Sequence, residues 1–212
     1  MKTALTAGVA CLLVALATPL YAQTSPVASV ASREGSVPIE RLMAAVSKKT
    51  GKKFIVDPRV HADVLLVGQD PSSLSYPDFL MVLQVHGYAA VEGGGYVRVV
   101  PDTLVRALPL PQVSGRETFP DAEYVTRIIP VKNLPAATLV PVLRPLLPQN
   151  AHLAAIVCNN TLVVVDTFAS VRRLETLIQS LDTGEPYKPE KCETRAPAPP
   201  PAPREAPPRR ED

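Results

Sequence analysis

Ala154-Ala155-Ile156-Val157-Cys158-Asn159-Asn160-Thr161-Leu162-Val163-Val164-Val165 sets two apolar runs either side of an Asn-Asn pair. Ala154–Val157 and Leu162–Val165 have strand length, and asparagine tolerates left-handed backbone. The stretch therefore predicts two strands joined by a tight hairpin turn at Asn159-Asn160. Upstream, from Tyr124, Val125, Arg127 and Ile129 alternate with Thr126 and Ile128, which predicts another strand. Pro135 then opens a helix carrying Leu139, Val142, Leu143, Leu146 and Leu147. Pro141 and Pro145 fall inside it, where a proline costs about 3 kcal/mol, so this helix is kinked or divided into two short turns. Downstream, Val171, Leu174, Ile178 and Leu181 form the stripe of a closing amphipathic helix. The order is β-α-β-β-α.

A second unit precedes this one. Ile39, Leu42, Met43 and Val46 make an i, i+3, i+4, i+7 stripe, with Pro38 in the first turn and Gly51 as the stop. Phe54-Ile55-Val56 predicts a short strand ahead of an Asp57-Pro58 turn, and Val64-Leu65-Leu66-Val67 a buried one. Ser75 and Asp78 are spaced as a capping pair before Phe79, Leu80 and Leu83, and Gly87 ends that helix. Tyr88–Val91 and Tyr96–Val100 flank Gly93-Gly94-Gly95, a hairpin signal. The expected fold class is α+β in two small domains, 23–101 and 123–182. A linker over 102–122 joins them, carrying one strand at Leu104–Leu108.

The flanks differ in kind. Lys2 and the apolar run Ala4–Ala17, broken by Pro19, read as a secretory signal over 1–22, cut between Ala22 and Gln23. The run is short for a membrane span, so no direct span is expected. Residues 183–212 hold nine of the 24 prolines, six basic and six acidic residues and almost no large apolar group. Such a stretch cannot bury enough surface to offset its ordering entropy, and it reads as a disordered tail. Export implies an oxidising compartment, in which Cys158 and Cys192 either pair or remain a buried small hydrophobe and a free thiol.

Chemistry-bearing motifs are missing. Net charge is +2 from 22 basic and 20 acidic residues, which gives nucleic acid no electrostatic foothold. His61, His86 and His152 lie in separate segments without metal-ligand spacing, so no metal or cofactor is expected. They are the best candidates for the competing reading, a hydrolase with an unfamiliar site. The β-α-β-β-α order is that of KH domains, but their nucleic-acid binding depends on a GxxG loop that Tyr124–Leu181 does not contain.

Taken together, the quoted pieces resemble one family. Val37-Pro38-Ile39, Thr50-Gly51-Lys52-Lys53-Phe54-Ile55-Val56-Asp57-Pro58-Arg59-Val60 and Leu83-Gln84-Val85-His86-Gly87-Tyr88-Ala89-Ala90-Val91 look like the first N-terminal domain of type II secretion secretins. Ile129-Pro130-Val131-Lys132-Asn133-Leu134, Leu143-Arg144-Pro145-Leu146-Leu147-Pro148 and Asn159–Asp166 are similar to the short secretin repeat that follows it. The resemblance runs from Val37 to Asp182. It implies a module like the signalling domain of TonB-dependent receptors, followed by a KH-like repeat that packs side by side into rings. It also implies a non-enzymatic, periplasmic interaction role beside an outer-membrane secretion complex. The implied partners are secretin subunits or an inner-membrane type II secretion platform protein, with self-association. Only the proline-rich stretch follows Asp182, so no pore-forming β-domain is expected in this chain. A stand-alone TonB-type signalling module is the alternative. The expected docking edge is Val27-Ala28-Ser29-Val30-Ala31, unless those residues are only an unfolded leader.

Overall fold

The computed structural model describes Gly35–Lys188, all within one compact unit. The signal segment with Ala22 and Gln23, the proposed edge Val27–Ala31, Cys192 and most of the proline-rich stretch lie outside the described residues.

In the first module, β1 (Val37–Pro38) leads directly into α1 (Ile39–Thr50). Ile39, Leu42, Met43 and Val46 are the buried stripe, while Glu40 in the first turn and Lys48 and Lys49 in the last complement the helix dipole. Gly51 ends the helix in the left-handed conformation and returns its N–H to the Ser47 carbonyl. β2 (Phe54–Val56) and β3 (Asp63–Val64) follow. Next comes α2 (Tyr76–Val85), whose start is fixed by the reciprocal Ser75–Asp78 capping box. β4 (Tyr88–Gly93) and β5 (Tyr96–Pro101) form the expected hairpin, with positive φ at Gly94 and Gly95 as a tight two-residue turn requires.

The three-stranded sheet runs β2-β5-β4, with β2 parallel and β4 antiparallel to β5. β1 and β3 make a separate two-residue antiparallel ladder. Both helices contribute to one core with Val97 and Val99 of β5, and Phe54 meets Phe79 edge to face at 5.7 Å. Each fully buried aliphatic or aromatic side chain there contributes about 1.5–3 kcal/mol. The Tyr88 hydroxyl staples the loop before β3, accepting from the His61 N–H and donating to the His61 carbonyl.

The second module begins with β6 (Gln112–Val113) beside β7 (Tyr124–Pro130). α3 (Ala136–Leu143), β8 (His152–Ile156), β9 (Thr161–Thr167) and α4 (Phe168–Leu181) complete it. The sheet order is β6-β7-β9-β8, antiparallel except for the β6–β7 pair. Val125, Ile129, Leu162 and Val164 meet Leu139 and Leu143 of α3 and Val171, Leu174 and Ile178 of α4 in one core. The β-α-β-β-α order is present, with β6 added at the edge. The proline conflict is resolved by division: α3 contains Pro141 and gives way to a 3₁₀ turn at Arg144–Leu146, which begins with Pro145 near its start.

Four local expectations need correction. Strand pairing stops at Val64, and Leu65 and Val67 are exposed instead of buried. Leu104–Leu108 is not a strand, because Asp102–Ala107 winds as a 3₁₀ helix that buries Val105. The β8–β9 connection is longer than a tight turn: Val157–Asn159 forms a 3₁₀ turn and only Asn160 takes positive φ, at 49°. Cys158 on that turn is exposed, which overturns the reading of it as a buried small hydrophobe.

The two modules share a seam. Ala89, Val105 and Tyr124 pack together with Val100 and Leu110, and Ala122 is part of the first module's core. Among the described residues no helix is long and apolar enough to cross a membrane.

Candidate docking surfaces

α2 is apolar on more than one side. Phe79, Leu80 and Leu83 face the core, while Met81 and Val85, four residues apart, are left 55% and 82% exposed. Leu65 emerges beside them at 48% exposure, and Val67, two residues on, is 88% exposed. Val64, Leu65, Leu66, Met81, Val82, Val85 and His86 line a groove of about 230 Å³. A helix apolar all round is ordinarily covered, and contiguous exposed apolar surface marks an interaction site. Apart from His86, every residue lining this groove is apolar.

The second module has a different cleft, of about 400 Å³, between β7 and α4. Several of its polar groups are committed internally. Arg127 Nε donates to Glu175 Oε1 at 2.7 Å, and Arg127 Nη1 donates to the Val113 carbonyl at 2.8 Å. The Asp182 carboxylate accepts the backbone N–H groups of Lys132, Asn133 and Leu134 at 2.7, 2.6 and 2.9 Å. Burial alone would raise the Asp182 pKa, but those three donors outweigh it and hold the group below the usual carboxylate range. The other end of the same loop is held by buried Asn160, whose Nδ2 donates to the carbonyls of Val131 and Leu134 while its Oδ1 accepts from the Ala136 N–H. Asn160 and Asp182 thus close one loop from two directions.

Charge also gathers at the seam. Lys52 pairs with Glu92 and lies 4.5 Å from the centre of the Tyr76 ring. Glu123, half-buried nearby, is pushed up by burial first and by the Glu92 charge second, with Lys52 opposing. Burial, reinforced by Glu92 and Glu123, also raises the Tyr76 phenol. Asp166 is 1% exposed; burial raises its pKa, against the Thr167 N–H, which donates to Oδ1 at 2.8 Å.

The histidines are not gathered into a site. His61 is an exposed loop residue with Nδ1 3.6 Å from Glu40 Oε1, His86 rims the groove at the end of α2, and His152 opens β8. Among the described residues no group of three His, Cys, Asp or Glu side chains could hold a metal ion. Cys158 is disulfide-bonded. Leu65, Met81 and Val85 were not among the expected docking residues, and the expected edge Val27–Ala31 lies outside the described residues. The available signal was the composition of α2, where Phe79 to Leu83 is an unbroken apolar run that no single buried stripe can absorb.

The two small α+β modules match known bacterial secretion domains. Residues 36–99 match the GspD-like N0 domain, and residues 126–186 the bacterial type II/III secretion system short domain. The chain is 37% identical over 146 residues to secretin XcpQ of Pseudomonas aeruginosa, covering 68% of this chain and 21% of that protein. It is 30% identical over 150 residues to secretin PulD of Klebsiella pneumoniae, covering 68% and 23%. A solved Klebsiella pneumoniae type II secretion system outer membrane complex, containing PulD, PulS and the PulC HR domain, matches with a TM-score of 0.61 at 28% identity. That match covers 70% of this chain and 26% of the other. The matched part of the chain belongs to the N-terminal domains of type II secretion secretins. It spans about a fifth of the length of the curated relatives it matches.

Proposed function

We propose that this protein is a non-enzymatic, periplasmic interaction component of a type II secretion machine, and that its first domain docks another component through the α2 groove. The observation that carries the reading is the contiguous apolar surface of Leu65, Met81 and Val85, which are 48%, 55% and 82% exposed. The solved outer membrane complex with PulD, PulS and the PulC HR domain supports the choice of partner class, another component of the secretion machine; an inner-membrane platform protein is the one proposed here. Boundaries of 23–101 for a TonB-signalling-like domain and 123–182 for a KH-like repeat fit this reading. Side-by-side packing of the second domain would draw on Val142 and Leu146, which are 58% and 48% exposed.

The test is titration calorimetry of the purified chain with the periplasmic domain of the inner-membrane component from the same secretion system. Met81→Asp with Val85→Asp is expected to weaken binding at least tenfold while the melting temperature stays within a degree or two. No measurable binding by the unmodified chain, or equal binding by the variant, would contradict the reading.

A further inference from the structure

Two domains joined by one connection ordinarily move relative to each other unless a substantial apolar interface holds them. Here the connection itself is shared between both cores. Val105, 1% exposed, belongs to neither core and fills the seam with Ala89, Val100, Leu110 and Tyr124. Val113 then enters the core of the second domain, and Phe119 packs against that core, meeting Phe168 edge to face at 5.8 Å. Ala122 turns back into the core of the first domain, while Val125 is again in that of the second. Between Val99 and Val125 the chain thus passes from one core to the other and back before β7 begins in earnest. Hydrogen bonds fix both ends of the connection. The Asp102 N–H donates to the Gly87 carbonyl of the first domain at 3.0 Å. The N–H groups of Phe168 and Ala169, which open α4 and have no partner inside the helix, donate to the carbonyls of Glu123 and Asp121 at 2.8 and 3.0 Å. Arg172 Nη2 adds a bond to Asp121 Oδ1 at 3.0 Å, and Asn150 Nδ2 donates to the Tyr124 hydroxyl at 3.3 Å. Asp121–Tyr124 therefore holds the first domain by a side chain and the second by its backbone.

We propose that Asp102–Tyr124 is a structural stitch that locks the two domains into one rigid body at a fixed angle, with Val105 and Tyr124 as the positioning residues of the seam. Separating the domains would expose Ala89, Val105 and Tyr124 to water and draw Ala122 out of the first core. It would also strip the start of α4 of its two carbonyl acceptors. A swing of one domain against the other is therefore opposed by apolar burial and by helix capping at the same four residues. Whatever occupies the α2 groove is carried at one orientation to the second domain, and a pull on the first domain is delivered to the start of α4. The inference stands on the seam alone and does not depend on which partner the groove takes.

The test measures amide relaxation and residual dipolar couplings on the purified full chain. One rotational correlation time and one alignment tensor should describe Ile39–Val99 and Val125–Leu181 together. Separate values for the two spans would overturn the proposal. A run of glycines inserted after Gly115, within the exposed turn at 114–118, should leave both measurements unchanged, because the seam and not the length of the tether sets the arrangement. Domains loosened by that insertion would overturn the stitch. Val105→Asp places a charge in the seam without altering a side chain of either domain's core. It should free the domains, so that the correlation time of each falls by up to about twofold, each holding roughly half the mass, while the chemical shifts of α1 and β9 stay in place. Val105→Asp domains that still tumble as one body would overturn the role given to the seam.

Discussion

The cleft of the second domain is the larger of the two, yet the smaller groove of the first is the more apolar. In the second-domain cleft, Arg127, Glu175 and Asp182 spend their hydrogen bonds on Val113 and on the Lys132–Leu134 backbone. In the first-domain groove, Leu65, Met81 and Val85 have no internal obligation and face outward. Volume alone therefore misleads. What separates a latch from a docking surface is whether the exposed groups are already satisfied.

The difference implies that substitutions in the second domain cost stability, whereas those in the groove cost binding. The largest stability effect is expected for Asn160→Ala, which removes three side-chain hydrogen bonds, two of them buried, and strains a position at φ 49°. A loss of about 3–4 kcal/mol in urea unfolding is expected. Asn160→Gly, free of the backbone strain, should lose less, and equal losses would mean that φ is irrelevant there. Asp182→Ala comes next, at about 2 kcal/mol, because three N–H groups lose their acceptor. Its pH dependence has a definite sign. A carboxyl held below its unfolded pKa contributes stability that is present above that unfolded value and is lost as pH falls through the folded one. The gap between the parent and Asp182→Ala should accordingly be full at pH 7 and close on acidification below about pH 4. A gap independent of pH would remove the carboxylate from the latch.

A smaller effect of opposite sign is expected at the seam. Glu123 is raised above its unfolded pKa, so its ionisation penalises the fold at neutral pH and the penalty fades as pH falls toward the ordinary carboxylate range. Glu123→Gln should raise the melting temperature slightly at pH 7–8 and much less near pH 4, by scanning calorimetry. A lower melting temperature at pH 7 would show that pairing with Lys52 outweighs burial.

Much of the framework was readable from residue order. The α1 stripe, the α4 stripe as far as Ile178, the Ser75–Asp78 cap and the Gly94-Gly95 turn are local signals present in the fold, whereas Leu181, expected to close the α4 stripe, is 43% exposed. Val64–Val67 misled because an apolar run states that a segment wants cover without stating whether this chain supplies it. Leu104–Leu108 misled because Val105 is buried by a 3₁₀ turn whose apolar spacing resembles a short strand. The Asp182 latch was unreadable for a different reason. Its partners lie about fifty residues away along the chain, and no local pattern marks a terminal aspartate as an acceptor for a distant loop.

Hydrogen exchange on the complex with the inner-membrane component's periplasmic domain compares the two clefts most directly. The account predicts slowed exchange at Leu65–Val67 and Met81–His86, with Lys132–Leu134 and Glu175–Asp182 unchanged. Protection confined to the second-domain cleft, with the groove exchanging as in the free chain, would contradict it.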